Sequence, residues 1–186
     1  GLAVVAHAGD AVDAAQFVGG EGLFLDRARF AEFIEIYHQG EFALVRSDAI
    51  KPALRADEPL RPHLDRLLAA LDVGLIRKRR FRVAVDCASG AGTALVPEFL
   101  RRLGCRPVLI NAVADGRFDR PPEPVPENLG RLARAVRARR AEVGFAQDAD
   151  ADRLAVVDES GRPIGEELTL ALAVKRVLSS PPARPV

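Results

Sequence analysis

The sequence predicts an α/β fold, a mixed but mostly parallel sheet flanked by helices in α/β/α layers. Between residues 81 and 147, apolar segments of strand length alternate with segments of helical periodicity, in the order strand, helix, strand, helix, strand. This alternation is typical of a parallel layer. Further along, residues 154–158 and 162–164 flank Glu159–Gly161, which indicates a β-hairpin. The ligand site of such a sheet is expected at the carboxyl ends of its strands.

The individual elements are predicted from the periodicity of apolar residues and from the residues that cap or interrupt it. Strands are expected at 2–5, 81–86, 106–111 and 142–147, with a further short strand around Phe17 and Val18. Helices are expected where apolar residues recur at helical spacing, at 27–38, about 60–77, 93–103, 128–140 and 166–178. Asp26 is the expected N-cap of the first helix. Loops, linkers and the tail fill 6–22, 40–59, 112–127 and 179–185, and no internal repeat is recognised.

Composition excludes several classes of protein. The chain has 186 residues, of which 48% are hydrophobic and 28% charged, which is normal for a globular protein. A net charge of +1 gives no bulk field that would indicate a nucleic-acid or membrane partner. Two cysteines without a paired framework, and no signal-peptide or membrane-spanning pattern, favour a cytoplasmic location. The chain has no methionine and begins at Gly1, so we interpret it as a fragment, a trimmed chain or a processed chain.

One acidic loop stands out. Asp148, Asp150 and Asp152 alternate with alanines, directly after the apolar segment 143–146. Three carboxylates this close repel one another unless a cation neutralises them, and oxygen ligands at this spacing suit Mg²⁺. Arg153 adds a positive charge that is able to hold a phosphate oxygen. A solvated acidic turn is the alternative, and the apolar strand before the loop favours the metal site. An EF-hand is disfavoured because its glycine and glutamate are absent.

Around this loop the chain resembles the phosphohexomutase superfamily, which includes phosphoglucomutase, phosphomannomutase and phosphoglucosamine mutase. The family metal loop reads D-x-D-x-D-R, and Asp148–Arg153 match it position by position. Four further segments follow the family pattern, namely 85–92, 118–124, 157–161 and 165–168. The resemblance covers nearly the whole chain and is most specific for residues 81–178.

This resemblance implies a four-domain enzyme that moves a phosphoryl group between the 1- and 6-positions of a hexose phosphate. Residues 1–50 would be the C-terminal part of domain 1, and 51–180 would be domain 2, which binds Mg²⁺ through Asp148, Asp150 and Asp152. Residues 181–186 would be a linker toward domain 3. The implied partners are a hexose phosphate and the remaining mutase domains, with no nucleic acid and no membrane. Arg153 would face the phosphoryl group, and Mg²⁺ would neutralise charge on it.

The chain departs from the family at the nucleophile loop, which reads roughly [TA]-S-H-N-P with a lysine ten residues after the serine. Matching His7 to the family histidine places Ala6 at the serine, Ala8 and Gly9 at the next two positions, and Gln16 at the lysine. Alanine has no oxygen to phosphorylate, so we expect this chain to be inactive. Degeneration is the favoured explanation over engineering or a wrong alignment of residues 1–16. The alternative function is a non-catalytic pseudoenzyme or interaction module that retains the fold.

Other candidate residues receive structural interpretations. The segment Ser89–Gly92 is expected to be a tight βα turn rather than an anion site, because it lacks the glycine spacing of nucleotide-binding loops. His38 and His63 are expected to be ordinary helix residues. The arginines between 131 and 140 are interpreted as a solvated helix face, and Cys87 as a buried structural thiol.

Overall fold

The computed structural model describes residues 3–7, 14–40, 44–50, 52, 58–115 and 117–179. The predicted terminal linker at 181–186 therefore lies outside the described residues. The chain divides into two compact units, Gly1–Pro59 and Leu60–Val186. None of the helices in the described segments is long and apolar enough to cross a bilayer.

The first unit contains a hairpin and a helix. Strands β1 (Ala3–His7) and β2 (Ala14–Val18) are antiparallel, and helix α1 spans Arg27–Gln39. As predicted, Asp26 is the N-cap, and its side chain accepts a hydrogen bond of 2.9 Å from the amide of Arg29. Phe33 packs against Phe17 with ring centroids 4.4 Å apart, which joins the helix to the hairpin.

The second unit begins with two short helices where one was expected. Helix α2 spans Arg61–Ala69 and helix α3 spans Val73–Arg79. The single helix predicted at about 60–77 is wrong because Asp72 starts a new helix, accepting a hydrogen bond of 2.9 Å from the amide of Leu75. The remaining helices are α4 (Val96–Arg102), α5 (Gly130–Arg139) and α6 (Glu166–Leu178). The bounds of α6 coincide with the predicted ones.

A four-stranded sheet organises this unit. Its strands are β3 (Arg82–Asp86), β4 (Arg106–Ile110), β5 (Val143–Gln147) and β6 (Leu154–Val157), in the spatial order β4-β3-β5-β6. The first three are parallel, and β6 is antiparallel to β5. A bridge between Val157 and Pro163 closes the predicted hairpin. The sheet is thus mixed and mostly parallel, which confirms the predicted fold class.

Alternate residues of the central strand face two separate apolar clusters. Ala84 of β3 belongs to a cluster with Leu132 and Val136 of helix α5, whereas Val83 and Val85 belong to a cluster with Leu100 of α4. The sheet is therefore covered on both faces, as expected for parallel strands. This arrangement leaves the carboxyl ends of β3, β4 and β5 together at one edge, where the polar loops emerge.

Candidate metal centre

The acidic loop follows β5 at this edge. Asp148, Asp150 and Asp152 each offer a carboxylate oxygen, and these oxygens all lie within 4.8 Å of one another. Asp148 is buried, with 6% of its surface exposed, whereas Asp150 and Asp152 are exposed. The amide of Arg153 donates a hydrogen bond of 3.1 Å to Asp148 Oδ1, which closes the loop back onto its first residue. The structure therefore brings the three predicted ligands together.

The loop curls because Ala151 adopts a left-handed conformation, with φ at 64°. A residue with a side chain adopts this conformation at a cost, and the cost is greatest for bulky or β-branched residues. An alanine between two aspartates accepts the turn without placing further atoms among the carboxylates. The local sequence therefore favours convergence of the oxygens.

The donor set fits a hard divalent cation. Mg²⁺ binds oxygen at about 2.0–2.1 Å in an octahedron, so two opposite ligand oxygens are about 4 Å apart. Only one pair among three ligands can be opposite, and neighbouring ligand oxygens are about 3 Å apart. The carboxylate oxygens here lie within 4.8 Å of one another, so the side chains would have to draw closer together around an ion. Three protein ligands would leave positions for water and for phosphate oxygens. The donor set could thus hold a hard divalent cation.

Arg153 lies beside the carboxylates with its charge partly compensated. Its Nε is 3.6 Å from Asp148 Oδ2 and 3.7 Å from Asp152 Oδ1, and its Nη1 forms an ion pair with Glu123. The hydrogen bond with Glu123 is the main cause that raises the pKa of the Arg153 guanidinium above its ordinary value. Both Arg153 and Glu123 are about half exposed, so the ion pair is accessible to competing anions.

The turn Ser89–Gly92 supports the acidic loop, a role that the sequence interpretation missed. The amide of Ala91 donates a hydrogen bond of 2.8 Å to the carbonyl of Ala149, between the first two aspartates. A Cβ atom on Gly90 would lie 2.0 Å from that same carbonyl oxygen. Glycine is required here because the two backbones touch, and the glycines of the turn were the available signal.

Two residues of the proline-rich loop, residues 112–127, also reach the site. Glu123 holds Arg153, and Arg120 forms a buried ion pair with Asp86, the last residue of β3. Neither pairing was predicted, since the partners are 30 and 34 residues apart in the sequence.

The other predicted residues belong to other elements. Ala6 and His7 are in β1 of the first unit, opposite Ala15 and Ala14, and Ala8 and Gly9 lie outside the described residues. His38 is exposed in the last turn of α1, and His63 is exposed on α2. The helix arginines are exposed, although Arg131 contacts Asn111 and Asp119.

Cys87 is fully buried next to Asp86, as predicted. Burial is the main cause that raises the pKa of its thiol from the ordinary 9.0 to about 11, and the charge of Asp86 adds to it. Between these values the unfolded chain loses its thiol proton before the folded chain does. The unfolded state then binds fewer protons, so stability falls as the pH rises through this window.

We therefore expect Cys87 to react very slowly with iodoacetamide in the folded protein, and to become reactive on unfolding. Alkylation of a Cys105→Ser variant, followed by mass spectrometry, measures Cys87 alone. A Cys87→Ala variant should lose part of the decline in stability between pH 9 and 11. Rapid labelling of the folded protein at neutral pH would contradict the expectation.

Comparison with known proteins agrees with the fold. Residues 61–161 match the family model for "Phosphoglucomutase/phosphomannomutase, alpha/beta/alpha domain II". A phosphoglucomutase/phosphomannomutase of Thermococcus kodakarensis is 39% identical over 158 residues, which are 84% of this chain and 34% of that protein. A probable phosphoglucosamine mutase of Methanosarcina acetivorans is 36% identical, over 82% of this chain and 34% of its own length.

A solved structure extends the likeness to three dimensions. The crystal structure of a phosphoglucomutase/phosphomannomutase family protein from Burkholderia thailandensis superimposes with a TM-score of 0.72 at 25% identity, over 96% of this chain and 37% of that one. The chain belongs to the phosphohexomutase superfamily, in the region of its second domain. It spans about a third of the length of the curated relatives that it matches.

Proposed function

We propose that this chain is the metal-binding part of a phosphohexomutase, in which Asp148, Asp150 and Asp152 hold Mg²⁺ and Arg153 faces the phosphoryl group. The observation that supports this best is the convergence of three carboxylate oxygens at the end of β5, beside an arginine. The reaction we assign to the whole protein moves a phosphoryl group between the 1- and 6-positions of a hexose phosphate. Residues 1–50 would belong to its first domain and 51–180 to its second.

Each residue has a distinct part in this proposal. A bound Mg²⁺ would supply positive charge that neutralises phosphoryl oxygens. Asp148 would be the fixed ligand, because it is buried and its Oδ1 accepts a hydrogen bond from the amide of Arg153. Asp150 and Asp152 are exposed and would close onto the ion. Arg153 would exchange its partner Glu123 for a phosphoryl oxygen, which it can bind with two N–H groups.

A residue of the first unit argues against catalysis by this chain. Ala6 stands where the family serine is expected, and a methyl side chain cannot accept a phosphoryl group. Turnover would also need a hexose phosphate and the remaining mutase domains as partners. We therefore propose that this chain binds metal without catalysing the reaction. The second candidate function, a pseudoenzyme or interaction module that keeps only the fold, is favoured by the same alanine.

Calorimetric titration of Mg²⁺ into three proteins tests the proposal. The wild-type chain should bind one ion saturably. Asp150→Asn should weaken binding by more than the roughly 10–100-fold that loss of an outer-shell partner costs, because a charged ligand is removed. Asp65→Asn on α2 makes the same change of charge away from the loop, and should bind like wild type. Absence of binding to the wild-type chain would favour the second candidate, a pseudoenzyme or interaction module that keeps only the fold.

A further inference from the structure

Arg120 is anchored in the protein interior although it comes from an irregular loop. Its side chain is 8% exposed, and its guanidinium donates in three directions. Nε donates to Asp86 Oδ2 at 2.9 Å, and Nη1 donates to the carbonyls of Pro121 and Pro122 at 2.9 and 2.8 Å. Nη2 donates to the carbonyl of Gln147 at 2.7 Å. The planar fork therefore links the ends of two strands with the proline-rich loop.

The partner carboxylate is equally constrained. The Asp86 side chain is 1% exposed, and its second oxygen accepts hydrogen bonds of 3.0 Å from the amide of Ala88 and from Asn111 Nδ2. Burial of two charges is costly, and good geometry on every side is needed to offset that cost. Removing one partner of such an ion pair leaves the other charge buried without compensation.

These contacts bear on the position of Asp148, the first of the proposed metal ligands. Gln147 immediately precedes Asp148, and its carbonyl is fixed by Arg120. The next carbonyl after Asp148, that of Ala149, is fixed by the amide of Ala91. Asp148 thus lies between two anchored backbone positions, one on each side. Without Arg120, the carbonyl of Gln147 would lose this hydrogen bond, and the pairing of Gln147 with Leu154 in the sheet would remain.

We propose that Arg120 is a positioning residue, which fixes the start of the acidic loop through Gln147 and thereby sets the affinity for a divalent cation. It acts through the backbone of the loop, since four of its five N–H groups donate to Asp86 and to backbone carbonyls among the described residues. The inference rests on the proposed metal site. Lysine would not replace arginine, because a single ammonium group cannot satisfy Asp86 and Gln147 with the same planar geometry.

Two variants and one control test this role. Arg120→Lys removes the fork, and the double variant Arg120→Met/Asp86→Asn removes both buried charges, so that a folded protein is available even if the single variant does not fold. Leu132→Ala lowers stability through the core on α5 and is the control. Calorimetry measures Mg²⁺ affinity, and hydrogen exchange of the metal-free proteins measures the amides of Ala91 and Arg153, which bond to the loop.

The Arg120 variants should bind Mg²⁺ about 10–100-fold more weakly, while the control stays close to wild type. Exchange at Ala91 and Arg153 should accelerate in the Arg120 variants more than in the control. Unchanged affinity, or an equal loss in Leu132→Ala, would overturn the role of Arg120. If the wild-type chain binds no Mg²⁺, the proposed function fails by itself. The exchange measurement then tests the positioning role separately. Exchange rates at both amides that equal those of the wild-type chain would contradict that role.

Discussion

Replacing Leu132 with alanine is expected to lower the free energy of unfolding of the second unit by about 2–5 kcal/mol. Leu132 has no exposed surface and lies on α5, inside the cluster formed with Ala84, Val136 and Val157. Its Cδ1 would lie 3.3 Å from a Cβ built on Gly144, so the sheet approaches the helix closely at this point. The shortened side chain would leave a cavity among these buried neighbours, and such cavities are filled only in part when the surrounding structure relaxes.

Far-ultraviolet circular dichroism in a urea titration measures this loss. Intrinsic fluorescence would not serve, because the chain has no tryptophan and its one tyrosine, Tyr37, belongs to the first unit. Leu170→Ala is the matched control, since Leu170 is 67% exposed on α6. We expect the control to change stability by less than about 0.5 kcal/mol. Similar losses at both positions would show that the Leu132 cluster is not the core of the unit.

Replacing Gly90 with alanine is expected to lower stability by about 1–3 kcal/mol and to weaken Mg²⁺ binding. The added Cβ would lie 2.0 Å from the carbonyl oxygen of Ala149 and 2.7 Å from its carbonyl carbon. Both atoms are backbone, so no side-chain rotation relieves the contact. The turn and the acidic loop must separate, which breaks the hydrogen bond from Ala91 to Ala149 and displaces Asp148.

Gly92→Ala is the control that separates backbone from side-chain crowding. Its Cβ would lie 2.0 Å from Gln147 Oε1, the flexible end of a side chain. That oxygen is buried without a hydrogen-bond partner among the described residues, so moving it breaks no bond. Urea unfolding and calorimetric Mg²⁺ titration should therefore show a smaller change for Gly92→Ala than for Gly90→Ala. The opposite order would mean that the loop and the turn do not depend on each other.

Elements with local signals were predictable from the sequence. Helix α6 and the N-cap Asp26 lie where periodicity and capping chemistry place them. The break between α2 and α3 was missed because the apolar stripe runs on through Leu71, although Asp72 carries a capping signal of its own. The continuous apolar periodicity favoured one long helix, whereas the capping residue Asp72 favoured two. The folded structure shows that the capping signal prevails.

The candidate site also has a part that the sequence predicts and a part that it does not. Asp148, Asp150, Asp152 and Arg153 are contiguous, so their convergence follows from one short segment. Their supports come from elsewhere in the chain, since Ala91, Arg120 and Glu123 meet the loop only after the strands align. Segment 118–124 follows the family pattern, but nothing in it predicts that Arg120 is buried, unlike the many exposed arginines of this sequence. Its burial is a property of the fold, not of its neighbours in sequence.

The contiguity of the three aspartates also affects the denatured state. Ligands within five residues stay near one another when the chain unfolds, so the unfolded chain retains some attraction for a divalent cation. Stabilisation by a ligand depends on the difference between its affinities for the native and the unfolded chain. The left-handed Ala151 and the buried Asp148 are features of the native loop alone. The rise in melting temperature on adding Mg²⁺ would therefore measure how far the fold preorganises the loop, beyond what a short acidic peptide of the same sequence achieves.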